Sequence, residues 1–531
     1  MLQPAIPFGR CALAALLFAA QCAWAGTVPE RIRALAGDAA HASRAAASPY
    51  DERAWLERFY GARGYAPAWT DAAAAQARDL LGKAGEHGLP AQDYDPGALA
   101  ARMHAHGAVA ADDAADQDAA LTLALLRYLA DLHAGRTHSD FAAARVVDPV
   151  PLLQRALADH DLAAAVDAAA PRLAIYHRLK ATLAQYRKLA LQPAPALPAL
   201  PPGRAIEAGA AYAGARDLVA RLALLGDLAA DAVPQDGTYS DELAQAVKRF
   251  QDRHGLAADG KLGRQTLAAL NVPLAARVRQ IELSMERLRW LPDLSGGPFI
   301  AINLPSFRLW AFKAAGAAPV LATRVIVGKA VRTQTPLFIG TLRYIEFNPY
   351  WNVPPSILRA EIVPALLRDP GYLVKNDMEI VGAGAQTADA ATLAALRAGA
   401  LRVRQRPGPR NALGAIKFAL PNSMNIYLHS TPARNLFARS RRDFSHGCIR
   451  VEDTEALADF VLGDQAGWNR ATIAAAMAPG RSRTVQLMAP MPVVIFYTTA
   501  IVDGDGRALF PEDFYRLDGA LERSLAARAD R

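Results

Sequence analysis

Cysteine is almost missing from this chain. Three occur in 531 residues, and two of them, Cys11 and Cys22, fall in a leader-like first segment, so the remainder keeps Cys448 alone. That excludes a disulfide-stapled fold for the mature chain. A single thiol in an exported protein implies an intermolecular bond or a reactive group. Long apolar runs are also missing. Arg10 precedes a short uncharged stretch, Cys11 to Ala20, and Ala23-Trp24-Ala25 offers small residues for a cut before Gly26. The stretch is too short to span a bilayer, and no later segment is long enough, so the mature chain should have no transmembrane span. Gln21 before Cys22 suits lipid attachment poorly, which disfavours a lipoprotein form. Nor is there a Lys/Arg block. The net charge is +8, or about +7 once Arg10 leaves with the leader (8 − 1), and the charges are scattered. A basic balance suits anionic partners such as an acidic wall polymer, export argues against nucleic acid, and scattered charge equally describes a solvated surface.

What is present is length and apolar content. With 52% hydrophobic residues, the chain can bury ample core and is long enough for about three domains at roughly 150 residues each. From Val28 to Ala190 it is Ala-rich with helical spacing, as in Leu121, Leu125, Leu126, Tyr128 and Leu129. His104, His106, His133 and His138 are scattered there as surface or capping residues rather than grouped as metal ligands. Leu191 to Gly203 is a Pro-rich spacer that marks a boundary. Arg216 to Asn271 predicts three short helices: Ser240 caps one carrying Leu243, Val247 and Phe250, Gly255 ends it, and Asp259-Gly260 turns into the last.

After a helix near Pro273 to Leu291 the pattern becomes β. Strands are predicted within Phe299–Phe312, Val320–Val327, Tyr344–Val353 and Met424–His429. Pro492–Val502 and Arg507–Phe510 flank Asp503-Gly504-Asp505-Gly506, a hairpin signal. Between strands, about Ile357 to Gln405 reads as an insertion with a helix near Ala391–Leu396, placed as a lid or substrate wall. The fold class is therefore multi-domain α+β, with helical N-terminal parts and a mostly β C-terminal domain carrying a helical cap.

The chemistry concentrates in two short stretches. Asn425-Ile426-Tyr427-Leu428-His429-Ser430 ends a predicted strand, and Ser445-His446-Gly447-Cys448-Ile449-Arg450 follows an Arg-rich loop. A thiol of ordinary pKa is mostly neutral at pH 7, whereas an adjacent imidazole can take its proton and make it a nucleophile. That base needs an acceptor at its other ring nitrogen, either a backbone carbonyl or Asp443. Gly447 lets the backbone approach closely and leaves amides to face a developing oxyanion. Tyr427 shares the strand face of His429, either to assist that oxyanion or only to pack. Arg450 can pair with a carboxylate or brace its loop, and Trp351 can line a cleft or fill a core. Zinc bound by His429, His446 and Cys448 is disfavoured by their unpaired spacing, and no cofactor is implied.

Two resemblances follow. Ala246-Val247-Lys248-Arg249-Phe250-Gln251 with Gly255-Leu256 and Asp259-Gly260-Lys261-Leu262-Gly263 resembles the peptidoglycan-binding type 1 domain. His429, a gap of fifteen residues (444 − 430 + 1) and Ser445-His446-Gly447-Cys448 resemble the catalytic domain of the L,D-transpeptidases. With Phe347-Asn348-Pro349-Tyr350-Trp351-Asn352-Val353-Pro354-Pro355, the helical scaffold and the cap, the chain looks like their large Gram-negative subgroup. The resemblance implies Cys448 as nucleophile, His429 as base and the Ser430 carbonyl as its orienter, with His446 in a supporting or substrate-binding role. It implies thioester formation at the third stem residue and 3→3 cross-linking in the periplasm. Stem peptides would be the partners, with other wall-synthesis enzymes beside them. A hydrolase, a wall-lipoprotein-attaching enzyme, D-amino-acid exchange and a non-catalytic wall-binding protein are the alternatives. The expected domains are a signal peptide at 1–25, a scaffold at 26–205, a wall-binding module at 206–275, a catalytic domain at 276–515 with its cap at about 357–405, and a tail at 516–531.

Overall fold

The computed structural model describes residues 27–37, 50–104, 113–137, 148–194, 196–200, 202–231, 237–382 and 389–529. Residues 1–26, where the leader is expected and which include Cys22, together with His106 and His138, lie outside them. Among the described residues no helix is long and apolar enough to cross a membrane. They form two compact units.

The first unit is helical and runs to Ala170, with the last few residues of the chain added. Its axis is the helix Asp113–Ala134, buried along most of its length. Burying Asp118 within that helix costs free energy unless its oxygens are met. They accept from the Tyr60 hydroxyl at 2.6 Å and from the amides of Ala68 and Trp69 at 2.9–3.2 Å. His133 meets the Ala169 carbonyl at 3.2 Å and joins no metal cluster among the described residues.

The second unit, Pro171–Ser524, opens with the helix Ala174–Ala190. The Pro-rich stretch after it does not stand free. Leu197 is buried in a small helical core, and both its backbone groups bond to the Asn271 side chain at 2.8 and 3.1 Å. That core belongs to helices Ala215–Leu224, Asp241–Arg253 and Arg264–Leu270. Ser240 accepts from Leu243 N as the cap expected there, and Gly255 ends the helix at φ +69°.

After the helix Leu274–Arg289 the chain builds β1 (Phe299–Asn303), β2 (Arg308–Phe312), β3 (Leu321–Gly328) and β4 (Phe338–Phe347). Three short strands follow, β5 (Trp351–Asn352), β6 (Met378–Ile380) and β7 (Val403–Gln405). Then come β8 (Ile416–Ala419), β9 (Leu428–His429), β10 (Asp443–Ser445), β11 (Ile449–Val451) and β12 (Arg483–Phe496). The long sheet has the order β10-β3-β11-β9-β8-β4-β12-β1-β2, and β2 also pairs with β3. That last pairing closes eight strands into a ring, with β10 added beside β3. The hairpin of β13 (Ile501–Val502) and β14 (Ala508–Leu509) turns at the Asp503–Gly506 signal.

Two predicted strands are shorter than their apolar patterns. Asn348 at φ +47° interrupts the run after β4, its side chain bonding to the carbonyls of Ala476 and Ala478. Before β9, Asn422 Oδ1 takes the amides of Met424 and Ile426, and Asn425 sits at φ +56°, so this stretch turns instead of pairing. The insertion is a small subdomain with its own core of Val353, Leu358, Ile362, Leu366, Leu373 and Leu396, among others, and its own sheet β5-β7-β6.

Candidate active site

Leu428 and Ile449 are fully buried in the sheet core and sit opposite each other on the parallel neighbours β9 and β11. Side chains alternate along a strand, so Tyr427 and His429 on one, and Cys448 and Arg450 on the other, point to the opposite face. Register then sets a row across that face. Arg450 is opposite His429, His429 opposite Lys417 on β8, and Lys417 opposite Glu346 on β4. Two stretches nineteen positions apart thus meet through a ladder.

His429 is buried, and its Nδ1 lies 2.6 Å from the Ser430 carbonyl oxygen. A carbonyl only accepts, so Nδ1 carries the proton and Nε2 keeps its lone pair. Ser430 is held in turn: its amide donates to the Ile416 carbonyl at 3.0 Å and its hydroxyl to the Leu413 carbonyl at 3.0 Å. Gly414 makes this packing possible, since a Cβ there would stand 2.1 Å from Ser430 Oγ, and its φ is +62°. Burial, then the Arg450 charge, pushes the imidazole down to about 3 against the support of the Ser430 and Leu413 carbonyls.

Cys448 is a partly exposed free thiol whose Sγ lies 3.4 Å from the Asn425 carbonyl oxygen. Burial pushes the thiol up, although Tyr427, Lys417 and Arg450 all favour the thiolate. The resting pair is therefore thiol and neutral imidazole. The Tyr427 hydroxyl interacts with Cys448 and with Trp351, and burial holds it well above its ordinary value. Lys417 Nζ lies 5.0 Å from the centre of the Tyr427 ring and 3.3 Å from both Glu346 oxygens. Trp351 is half-buried: it packs on the insertion core and also reaches Tyr427.

The Gly447 amide, expected to face an oxyanion, donates here to Ser445 Oγ at 3.2 Å, and Gly447 has φ +116°. Arg450 has its Nε buried without a partner among the described residues, and burial lowers its guanidinium. His446 does not join the row. Its Nε2 meets Glu361 Oε1 at 2.6 Å, and Glu361 lies in a π-helical turn of the insertion, Leu358–Ile362. Asp443, the other suggested orienter, instead pairs with Arg441 at 2.8 Å. Glu361, Lys417, Glu346 and Leu413 were not singled out in the sequence, where each stands alone and far from the Cys motif.

Comparison with known proteins bears on this arrangement. Residues 297–495 match a family model described as the L,D-transpeptidase catalytic domain, residues 54–183 a scaffold domain, and residues 213–270 a "Putative peptidoglycan binding domain". A Haemophilus influenzae protein named "Putative L,D-transpeptidase" is 32% identical over 271 residues, covering 50% of this chain and 54% of its own length. The chain thus spans about half the length of this curated relative. Crystal structures of L,D-transpeptidases from Stackebrandtia nassauensis and Xylanimonas cellulosilytica align at 16% and 18% identity. Each covers 56% of this chain, and 97% and 100% of its own, with TM-scores of 0.24 and 0.18. The order of scaffold, wall-binding and catalytic matches is consistent with an L,D-transpeptidase.

Proposed function

We propose that this chain is an L,D-transpeptidase that cross-links peptidoglycan through a thioester on Cys448. The observation that carries the reading is the parallel pairing of β9 with β11, which sets His429 opposite Arg450, with Tyr427 and Cys448 immediately before the two strands and the imidazole held at Nδ1 by Ser430. The family match over 297–495 supports it.

Because the resting pair is neutral, the proton moves during attack. Cys448 Sγ forms a bond to the carbonyl carbon of the third stem residue as its proton passes to His429 Nε2. The C–N bond to the terminal D-alanine then breaks, and the imidazolium returns the proton to the leaving amine. The side-chain amine of a second stem attacks the thioester, gives a proton to His429, and displaces the thiol. Atoms balance as one amide exchanged for another, a 3→3 cross-link. Arg450, with an unmet buried N–H, is suited to a stem carboxylate. Trp351 and the insertion would wall the donor cleft. The module at 213–270 would hold the polymer, and the leader at 1–25 would deliver the chain to the periplasm.

Incubation with disaccharide-tetrapeptides, followed by chromatography, should yield 3→3 dimers from the wild type and none from Cys448→Ala. Intact mass should show a carbapenem adduct on Cys448. D-Alanine release without dimers would replace cross-linking by hydrolysis. An unmodified Cys448 after long exposure would remove the thioester altogether.

A further inference from the structure

The connection from β3 to β4 ties the Cys motif down from behind. A Cβ on Gly328 would meet the Thr333 carbonyl oxygen at 1.9 Å and Thr335 N at 2.7 Å, so the connection lies flat on that glycine. Thr335, 2% exposed, is thereby placed against the motif. Its hydroxyl accepts from the Gly328 amide at 2.9 Å and donates to the Gly447 carbonyl at 2.7 Å. The direction is unambiguous, because an amide only donates and a carbonyl only accepts. Tyr515 fixes Thr335 in turn: its hydroxyl accepts from Thr335 N at 3.0 Å and donates to the Gly328 carbonyl at 2.7 Å.

The Gly447–Cys448 peptide is trans and planar, so the direction of the Gly447 carbonyl sets the direction of the Cys448 N–H on the other side of the plane. The Gly447 amide is committed to Ser445 Oγ, whereas the Cys448 amide has no hydrogen-bond partner among the described residues. Glycine at φ +116° offers little resistance to rotation of that plane, so its orientation must come from outside. We propose that Thr335, locked by Tyr515, is a positioning residue that holds the Gly447–Cys448 peptide so that the Cys448 amide meets the oxyanion during acylation. This rests on the thioester reading above.

Two probes of Cys448 separate the amide from the thiol. Acylation by a carbapenem passes through a tetrahedral oxyanion, and alkylation by iodoacetamide does not. Thr335→Val should slow carbapenem acylation by about 10- to 100-fold while leaving the alkylation rate of the folded protein near wild type. Thr335→Ser should restore acylation, and Tyr515→Phe should slow it in the same direction but less. The proposal is overturned if folded Thr335→Val acylates at the wild-type rate, or if both reactions slow together. If Thr335→Val does not fold, the comparison passes to Tyr515→Phe, where an unchanged acylation rate overturns it. A wild type that iodoacetamide labels but no carbapenem acylates removes the thioester reading itself, and this proposal with it.

Discussion

Burial favours the neutral forms of both His429 and Cys448, because neither charged form is well solvated there. For the imidazole, the value of about 3 means that it stays neutral through the whole physiological range. Acylation should therefore keep its rate down to pH values well below the ordinary histidine range. The thiol is raised, so alkylation of Cys448 by iodoacetamide should be slow at pH 7 and climb only above the ordinary thiol range. Rates of the two reactions followed across pH would check both limbs; a plateau in alkylation near pH 7 would mean a preformed thiolate. The same shift bears on stability. The unfolded chain binds a proton at His429 near pH 6.5 and the folded chain does not, so this contribution is complete above that value and is lost as pH falls toward about 3. At this scale the sequence was most readable. Cys448 and His429 stand out as candidates by residue type and spacing, but the carbonyls of Leu413 and Asn425 carry no signature, since any residue supplies a carbonyl.

Elements decide whether those residues meet. The loop before β8 has to pass Ser430 closely, and Gly414 permits it. Gly414→Ala combines a strained φ with a contact of 2.1 Å, and should cost about 1–3 kcal/mol in denaturant unfolding together with most of the acylation rate. The insertion is joined to the motif by His446 and Glu361, a pair whose side chains are 32% and 51% exposed. Such a pair contributes only about 0–1 kcal/mol. Glu361→Ala should thus leave the melting temperature unchanged while amide exchange in residues 358–380 quickens; unchanged exchange would mean the pair does not hold the insertion. The predicted strands overlap β1–β5, β9 and β12–β14 and miss β6, β7, β8, β10 and β11; β9 itself is two residues long, because Asn422 and Asn425 turn the chain that the pattern read as strand. The first half of β12 was not anticipated, since its side chains are mostly exposed and it is a strand by virtue of pairing with β4.

At the scale of the second unit, the three-helix module is built into the rest of it. Arg253 and Asp227, 7% and 5% exposed, form a two-bond ion pair at 2.5 and 2.7 Å. The Arg253 carbonyl accepts from Phe510 N at 2.8 Å, and its guanidinium reaches the Ala508 carbonyl at 3.3 Å. Asp227→Ala leaves that guanidinium buried and unpaired, and should cost about 3–5 kcal/mol. Calorimetry would register it as destabilisation of the catalytic domain too, and an effect confined to wall binding would contradict the coupling. The helical module was legible from Phe250, Gly255 and Gly260. Its attachment was not, because Asp227, Arg253 and Phe510 are remote in the chain and none stands out alone.

The parallel pairing of β9 with β11 has a further consequence. The ladder, rather than the connection between the strands, sets the spacing of His429 and Cys448, so chain continuity across that connection is dispensable for the proposed chemistry. Arg434 and Asn435 lie exposed on it. A single proteolytic nick there, with both fragments remaining associated, should leave an active two-piece enzyme.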